Sequence, residues 1–239
     1  MTRNRALTIP RVIGHRGAAG RAPENSLEGF RRAAALGCRW VELDVRLSRD
    51  GRAVVFHDET LQRMTGKTGV VSAMPLAALL ECSVAGAPIP TLESALFELG
   101  RLGLGANIEM KAGAGREAAL AESVAGAVAG GPPLPVLVSS FSLPALEALF
   151  RVAPELPRGV LTERMTTTWR DAPARVAAAA LICGHHSLRQ SAVRAVRGAD
   201  LLLAAYTVND PRRARELFAW GVDSVISDVP DMIMADRSG

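Results

Sequence analysis

Glu42 and Asp44 stand two residues apart in the segment WVELDVR. Its apolar, β-branched composition reads as a strand, where side chains two apart point to one face. Glu109 and Lys111 repeat the spacing in NIEMK. Carboxylates gathered on one buried face repel one another and lose hydration unless a cation, an Arg or Lys, or a proton neutralises them. Three carboxylates from neighbouring strands would form an oxygen-rich site. Such hard ligands suit Mg²⁺ or Ca²⁺, whereas zinc recruits His or Cys. The competing solution is ion pairing of Glu42, Asp44 and Glu109 with Arg16, Lys111 or other cations at a rim. Spacing alone leaves both open.

Two histidines are candidates for the same site. His15 and Arg16 close a predicted strand in GHRG, where glycines on both sides let backbone approach a ligand. His57 closes the apolar run AVVFHD. Facing each other across a cation, the pair would supply acid and base near neutral pH. Arg16 and Lys111 would add fixed positive charge suited to the oxygens of a phosphate ester. Other candidates are weaker. GKTG at 66–69 lacks the first glycine of a P-loop, since Leu61 holds that position. Ser139 and Ser140 have no GxSxG elbow around them. His185 and His186, as immediate neighbours, point different ways and read as structural.

These residues need a scaffold, and the chain alternates short β-like runs with Ala- and Leu-rich helical stretches, the pattern of a parallel sheet covered by helices. Strands are expected at 11–16, 40–46, 106–111, 135–140, 157–162, 180–185, 201–208 and 223–228. Eight such units make a (β/α)8 TIM barrel, in which active sites are built at the carboxyl ends of the strands. Amphipathic helices are expected at 26–36, 143–152 and 211–219. Asn25, with Glu28 three residues on, is the expected N-cap of the first, and Asn209 or Asp210 that of the last. The stretch 112–131 reads as helical. One insertion follows strand two: Asp50-Gly51 and the run AVVFH predict a hairpin returning to the barrel mouth with His57.

Bulk properties set the remaining bounds. The 239 residues, 49% of them hydrophobic, suit one domain over 1–239. A net charge of +4 with scattered basic residues, and only 4% aromatics, argue against nucleic acid as a partner. Cys38, Cys82 and Cys183 are far apart in apolar surroundings and read as buried free thiols. The amino-terminal MTRNRALTIPRV has no apolar core of a signal peptide, and no segment reaches the roughly 18 apolar residues of a membrane span. A cytoplasmic location without membrane insertion is expected, and no pattern in the chain specifies an oligomer.

With these blocks in order, VIGHRGAAGRAPENSLEGF, VELDVRLSRDGRAVVFHDETLQRMT, NIEMK, VSSFS and YTVNDPRRARELFAWGVDSVISDVPD, the chain resembles the glycerophosphodiester phosphodiesterase family over nearly its whole length. PELPRGVLTE is similar to the short cytosolic bacterial members. The resemblance implies one divalent cation, Mg²⁺ or Ca²⁺, on Glu42, Asp44 and Glu109, and His15 and His57 as acid and base. It implies that Arg16 and Lys111 hold the phosphate, Glu24 and Asn25 of PEN support the first loop, and Tyr206 and Asn209 line the far wall. The implied substrate is a small glycerophosphodiester, cleaved to sn-glycerol 3-phosphate and an alcohol. Two positions depart from the family pattern: 77–89 is short, and Tyr206 replaces a common Trp. Alternatives are a lysophospholipase D-like phosphodiesterase and a non-catalytic phosphate-ester binding barrel, although every expected catalytic position is filled.

Overall fold

In the computed structural model, residues 7–235 are described; the first six residues of the amino-terminal segment discussed above, and the last four of the chain, lie outside them. Eight strands run parallel in a closed ring: β1 (Val12–Gly14), β2 (Trp40–Leu47), β6 (Gly105–Met110), β7 (Val136–Ser140), β8 (Arg158–Thr162), β9 (Ala180–Gly184), β10 (Leu202–Tyr206) and β11 (Ser224–Ser227). Closure comes from β1, whose Val12 pairs with Val225 and whose Gly14 pairs with Val41. The expected barrel is therefore present. Its strand ends differ by a residue or two from the predicted ones: β1 stops at Gly14, so His15 and Arg16 belong to the following loop, and Lys111 lies just beyond β6.

The barrel interior shows why the parity of charged residues matters. Ile13, Trp40, Leu137, Leu161, Ile182, Ala204 and Ile226 form one buried cluster from seven strands. Trp40 lies across Gly105, its register partner on β6. A Cβ built on Gly105 would meet the indole Cε2 at 2.4 Å, so only glycine leaves room for the ring. This apolar plug is the floor. Residues of the same parity further along β2, Glu42, Asp44 and Arg46, rise above it towards the carboxyl-terminal mouth.

The outer faces of the strands and the helices form the second core. The main helices are α1 (Leu27–Ala35), α4 (Leu92–Leu102), α5 (Glu117–Ala129), α6 (Leu143–Val152), α8 (Gln190–Arg197), α9 (Pro211–Trp220) and the terminal α10 (Pro230–Ala235); α7 (Asp171–Arg175) is a single turn. Leu96, Leu99, Leu146 and Leu149 are all but completely buried, each such side chain contributing about 1.5–3 kcal/mol. The cap of α1 is Ser26, whose hydroxyl accepts from the Gly29 N–H at 2.9 Å, and not Asn25. Asn25 adopts a left-handed backbone, φ 53°, which is incompatible with the extended conformation of an N-cap. Asp210 caps α9, and all three cysteines are buried free thiols. Among the described residues no helix is long and apolar enough to cross a membrane.

The insertion after β2 is larger than the expected hairpin. β3 (Ala53–Val55) does return antiparallel to β2 around Gly51, φ 78°. It is followed by α2 (Gln62–Thr65), a 3-10 turn (Val71–Ala73), α3 (Leu76–Leu80) and a two-residue hairpin of β4 (Ser83–Val84) and β5 (Ala87–Pro88). Val54, Phe56, Leu61, Val71, Leu79, Cys82, Val84 and Ile89 give this segment an apolar cluster of its own. Its apolar residues are spread over short elements, so no helical or strand period announces them.

Replacing Gly105 by Ala should force the Trp40 indole aside, an overpacking cost of about 1–3 kcal/mol. A fall of roughly 2–4 °C in melting temperature per kcal/mol, measured by calorimetry, is the expected outcome; an unchanged melting temperature would contradict the plug.

Candidate active site

Glu42, Asp44 and Glu109 converge above the plug, each offering an oxygen within 4.8 Å of the others, and all three are buried. The register explains their meeting, because Asp44 pairs with Glu109 and Glu42 with Asn107 across β2 and β6. The ion-pair solution accounts for Asp44 and only in part for Glu109, whose pKa burial keeps raised despite Lys111. Asp44 lies 3.2 Å from both the Arg16 Nε and the Lys111 Nζ, and Lys111 also lies 2.5 Å from Glu109. Burial works to raise the Asp44 pKa, but Lys111 and Arg16 outweigh it and hold the carboxyl below its ordinary range. Glu42 is different. One oxygen accepts from the Arg16 backbone N–H at 2.9 Å, while Oε1 is buried with neither a hydrogen-bond nor an ion-pair partner among the described residues; Asp44 Oδ1 and Glu109 Oε1 also lack a hydrogen bond, but both face the Lys111 ammonium. Burial, with the charges of Asp44 and Glu109, pushes its pKa up to about 8. A buried orphan oxygen in a native site calls for an explanation, and an all-oxygen donor set around it fits a hard divalent cation.

The loop after β1 delivers this arrangement through unusual backbone. Arg16 (φ 49°) and Asn25 (φ 53°) are both non-glycine residues in the left-handed region, a cost of order 1–3 kcal/mol each. The Asn25 N–H donates to the Arg16 carbonyl at 3.0 Å. Asn25 Nδ2 then donates to Asp44 Oδ2 at 2.8 Å, and its Oδ1 accepts from the Asp44 N–H at 3.1 Å. That two-point clamp fixes the carboxylate and replaces the helix-capping role expected of Asn25. The glycines of GHRG serve the loop's own closure: a Cβ on Gly14 would meet the Gly17 carbonyl oxygen at 1.9 Å, and one on Gly17 the backbone of Gly29 at 2.8 Å.

Each histidine is oriented by a carboxylate. His15 Nδ1 lies 2.6 Å from Asp228 Oδ1, leaving Nε2 on the acidic side, 3.8 Å from Glu42 Oε2. Burial lowers the His15 pKa, but the Asp228 hydrogen bond and the Glu42 charge prevail and leave it raised. His57 Nδ1 lies 2.7 Å from Asp58 Oδ1. Here burial prevails over the attraction of Asp44 and Asp58, and the pKa is lowered. The expected pair thus meets the cluster from two sides, His15 beside Glu42 and His57 beside the hairpin.

Further residues hold these. Arg63 donates to both Asp58 oxygens and to both Glu24 oxygens, and Arg16 donates to Glu24 at 2.8 Å. Glu24 is therefore a bridge between the loop of Arg16 and the insertion that carries His57. Asn209, expected on the far wall, spends its amide on strand β11's end: Nδ2 donates to Asp228 at 2.7 Å, and Oδ1 accepts from the Asp228 N–H and the Ser227 hydroxyl. Tyr206 lies edge-on to Phe141 at 6.0 Å, donates to the Thr162 carbonyl, and with Phe141, whose ring is 5.8 Å from Lys111 Nζ, forms a wall. Sequence reasoning missed Asp228, Asp58, Arg63 and Phe141. Asp58 adjoins His57 in HD, the one of these with a local signal. His185 and His186 do not point different ways as expected: in the 3-10 turn after β9 their ring centroids lie 3.8 Å apart with the planes tilted by 38°.

Fixed cations beside a cation-competent carboxylate cluster, at the carboxyl end of a parallel barrel, define an enzyme class that handles phosphate esters. The sequence profile of the glycerophosphoryl diester phosphodiesterase family matches residues 15–232, and the chain belongs to that family. It is 30% identical to a glycerophosphodiester phosphodiesterase of Caldanaerobacter subterraneus, over 93% of this chain and 96% of that one. It is also 30% identical to one of Bacillus subtilis, over 95% and 86%. A phosphodiesterase of Oleispira antarctica, solved in complex with the product sn-glycerol-3-phosphate, superposes with a TM-score of 0.94 at 32% identity, covering 97% of this chain and 98% of that one.

The raised Glu42 pKa has a consequence for stability. Without a cation, the folded carboxyl keeps its proton to about pH 8, whereas its ordinary value is 4.5. The folded state binds more protons between these values, so the Glu42 contribution is full below about pH 4 and is lost as pH rises through about 8. Relative to Glu42→Gln, the metal-stripped protein should melt progressively lower from pH 5 to pH 8, and Mg²⁺ or Ca²⁺ should close the gap. Parallel melting curves for the two proteins would contradict this. Separately, Asp228→Asn should lower activity about 10–100-fold while the fold, followed by circular dichroism, is retained.

Proposed function

We propose that this chain hydrolyses glycerophosphodiesters to sn-glycerol 3-phosphate and an alcohol, with one Mg²⁺ or Ca²⁺ on Glu42, Asp44 and Glu109. The observation that carries the cation is the buried Glu42 oxygen without a partner, beside two carboxylates that Lys111 and Arg16 only partly neutralise. The product assignment is supported by the Oleispira antarctica phosphodiesterase, whose complex contains that product. When bound, the cation would act as a Lewis acid on the phosphoryl oxygens.

The protein's own groups divide the remaining work. Arg16 and Lys111 present charged donors to the phosphate from two elements, which fixes its orientation as well as its charge. His57, with its lowered pKa, is neutral near pH 7 and is assigned as the base that takes a proton from the nucleophile. His15, with its raised pKa and Asp228 partner, is assigned as the acid that protonates the leaving oxygen. Asp58 and Asp228 hold each Nδ1, so that both Nε2 atoms are left for chemistry.

Release of glycerol 3-phosphate from glycerophosphocholine and glycerophosphoethanolamine, with Mg²⁺, with Ca²⁺ and with excess EDTA, tests the reading. Cation-dependent release, abolished in Glu42→Gln and reduced about 10²–10⁴-fold in His15→Ala and His57→Ala, is expected. A lysophospholipase D-like enzyme would instead leave these two substrates intact and release lysophosphatidate from lysophospholipids.

A further inference from the structure

A cavity of about 220 Å³ opens beside the site, between the end of β2, the insertion and the residues leading into α5. Arg46, Lys111 and Arg116 line it, together with Glu59. It touches the site at two points. Lys111 is shared with Asp44 and Glu109, and Arg46 donates through Nε to the His57 carbonyl at 2.7 Å. The remaining guanidinium N–H groups of Arg46 have no hydrogen bond or ion-pair partner among the described residues. Arg116 spends one nitrogen on a long contact, 3.4 Å, to the Ser72 carbonyl. Glu59 has no ion pair among the described residues either, although Arg46 and Glu59 border the same space. Burial lowers the Arg46 pKa and the charge of Glu59 is the largest attraction opposing it, yet among the described residues no carboxylate comes within ion-pair distance of the guanidinium, the pairing by which desolvation is normally offset. Opposite charges held apart across a cavity suit a ligand carrying both signs.

We propose that this cavity is the subsite for the leaving alcohol and that it selects an amino-acid headgroup, as in glycerophosphoserine: Arg46 and Arg116 take its carboxylate and Glu59 its ammonium. The inference rests on the phosphodiesterase reading above. The cavity, about 220 Å³, is smaller than the roughly 300–1,000 Å³ that holds drug-sized ligands, which fits a headgroup. Lys111, paired with Asp44 and Glu109 and lining the cavity, makes the two spaces adjacent.

Glycerophosphoserine and glycerophosphoethanolamine differ by the carboxylate alone, so their kcat/KM ratio isolates it. The wild-type enzyme should favour the serine ester about tenfold or more, equivalent to ~1.4 kcal/mol. Arg116→Gln should bring the ratio near one through a higher KM for the serine ester, and Arg116→Glu should invert it. Cleavage of both esters without preference would overturn the subsite and spare the phosphodiesterase reading, as would a preference that survives Arg116→Gln. Failure to cleave either ester, from folded and cation-loaded protein, would overturn that reading and the subsite with it.

Discussion

Mutual repulsion among Glu42, Asp44 and Glu109 is the constraint around which the upper barrel is organised. Two of these carboxylates lie on adjacent strands in register and the third two residues below, over an apolar plug that offers no compensation. In such surroundings a carboxylate must be paired, protonated or bound to a cation. Asp44 is compensated most fully, by Arg16, Lys111 and the Asn25 amide. Glu42 is compensated least, and its pKa records the deficit. A protein that only needed stability would do better with apolar side chains there.

Compensation of the cluster and orientation of the histidines turn out to be one network. Arg16 pairs with Asp44 and with Glu24; Glu24 pairs with Arg63; Arg63 pairs with Asp58; Asp58 holds His57. The loop after β1 and the insertion after β2 are thereby locked to each other above the strands that carry the carboxylates. This is why backbone strain at Arg16 and Asn25 is tolerated: each strained residue places a group that the charged site requires. On the opposite side, Asn209 and Asp228 do the same for His15 with neutral and charged hydrogen bonds.

The insertion has a second consequence. Packed on its own apolar cluster, it presents Glu59 and Ser72 to the same cavity as Arg46 of β2 and Lys111 after β6. Specificity in this fold is set by loops on a common barrel, and here the segment that supplies an assigned catalytic histidine also supplies one wall of the proposed headgroup pocket.

The alternation of short strands with helices, and the i, i+2 carboxylates on a strand, were legible because periods of 2 and 3.6 are local properties of the chain. So were the barrel, Glu42, Asp44 and Glu109 as a cluster, and His15 and Arg16 beside it. The insertion's full extent was not, because its core is assembled from residues with no common period. Neither were the partners of the histidines. Asp228 is 213 positions from His15, and Arg63 bridges Glu24, 39 residues away, so no local pattern reports them. Asn25 and Asn209 were placed in the right neighbourhood but their work was decided by hydrogen bonds across the barrel mouth. The sequence by itself determined which groups face inward and in what order they occur along the chain. Only ring closure, by bringing β11 against β1 and the insertion over β2, decided which charges neutralise which, since pairing energies depend on distance in space and not along the chain.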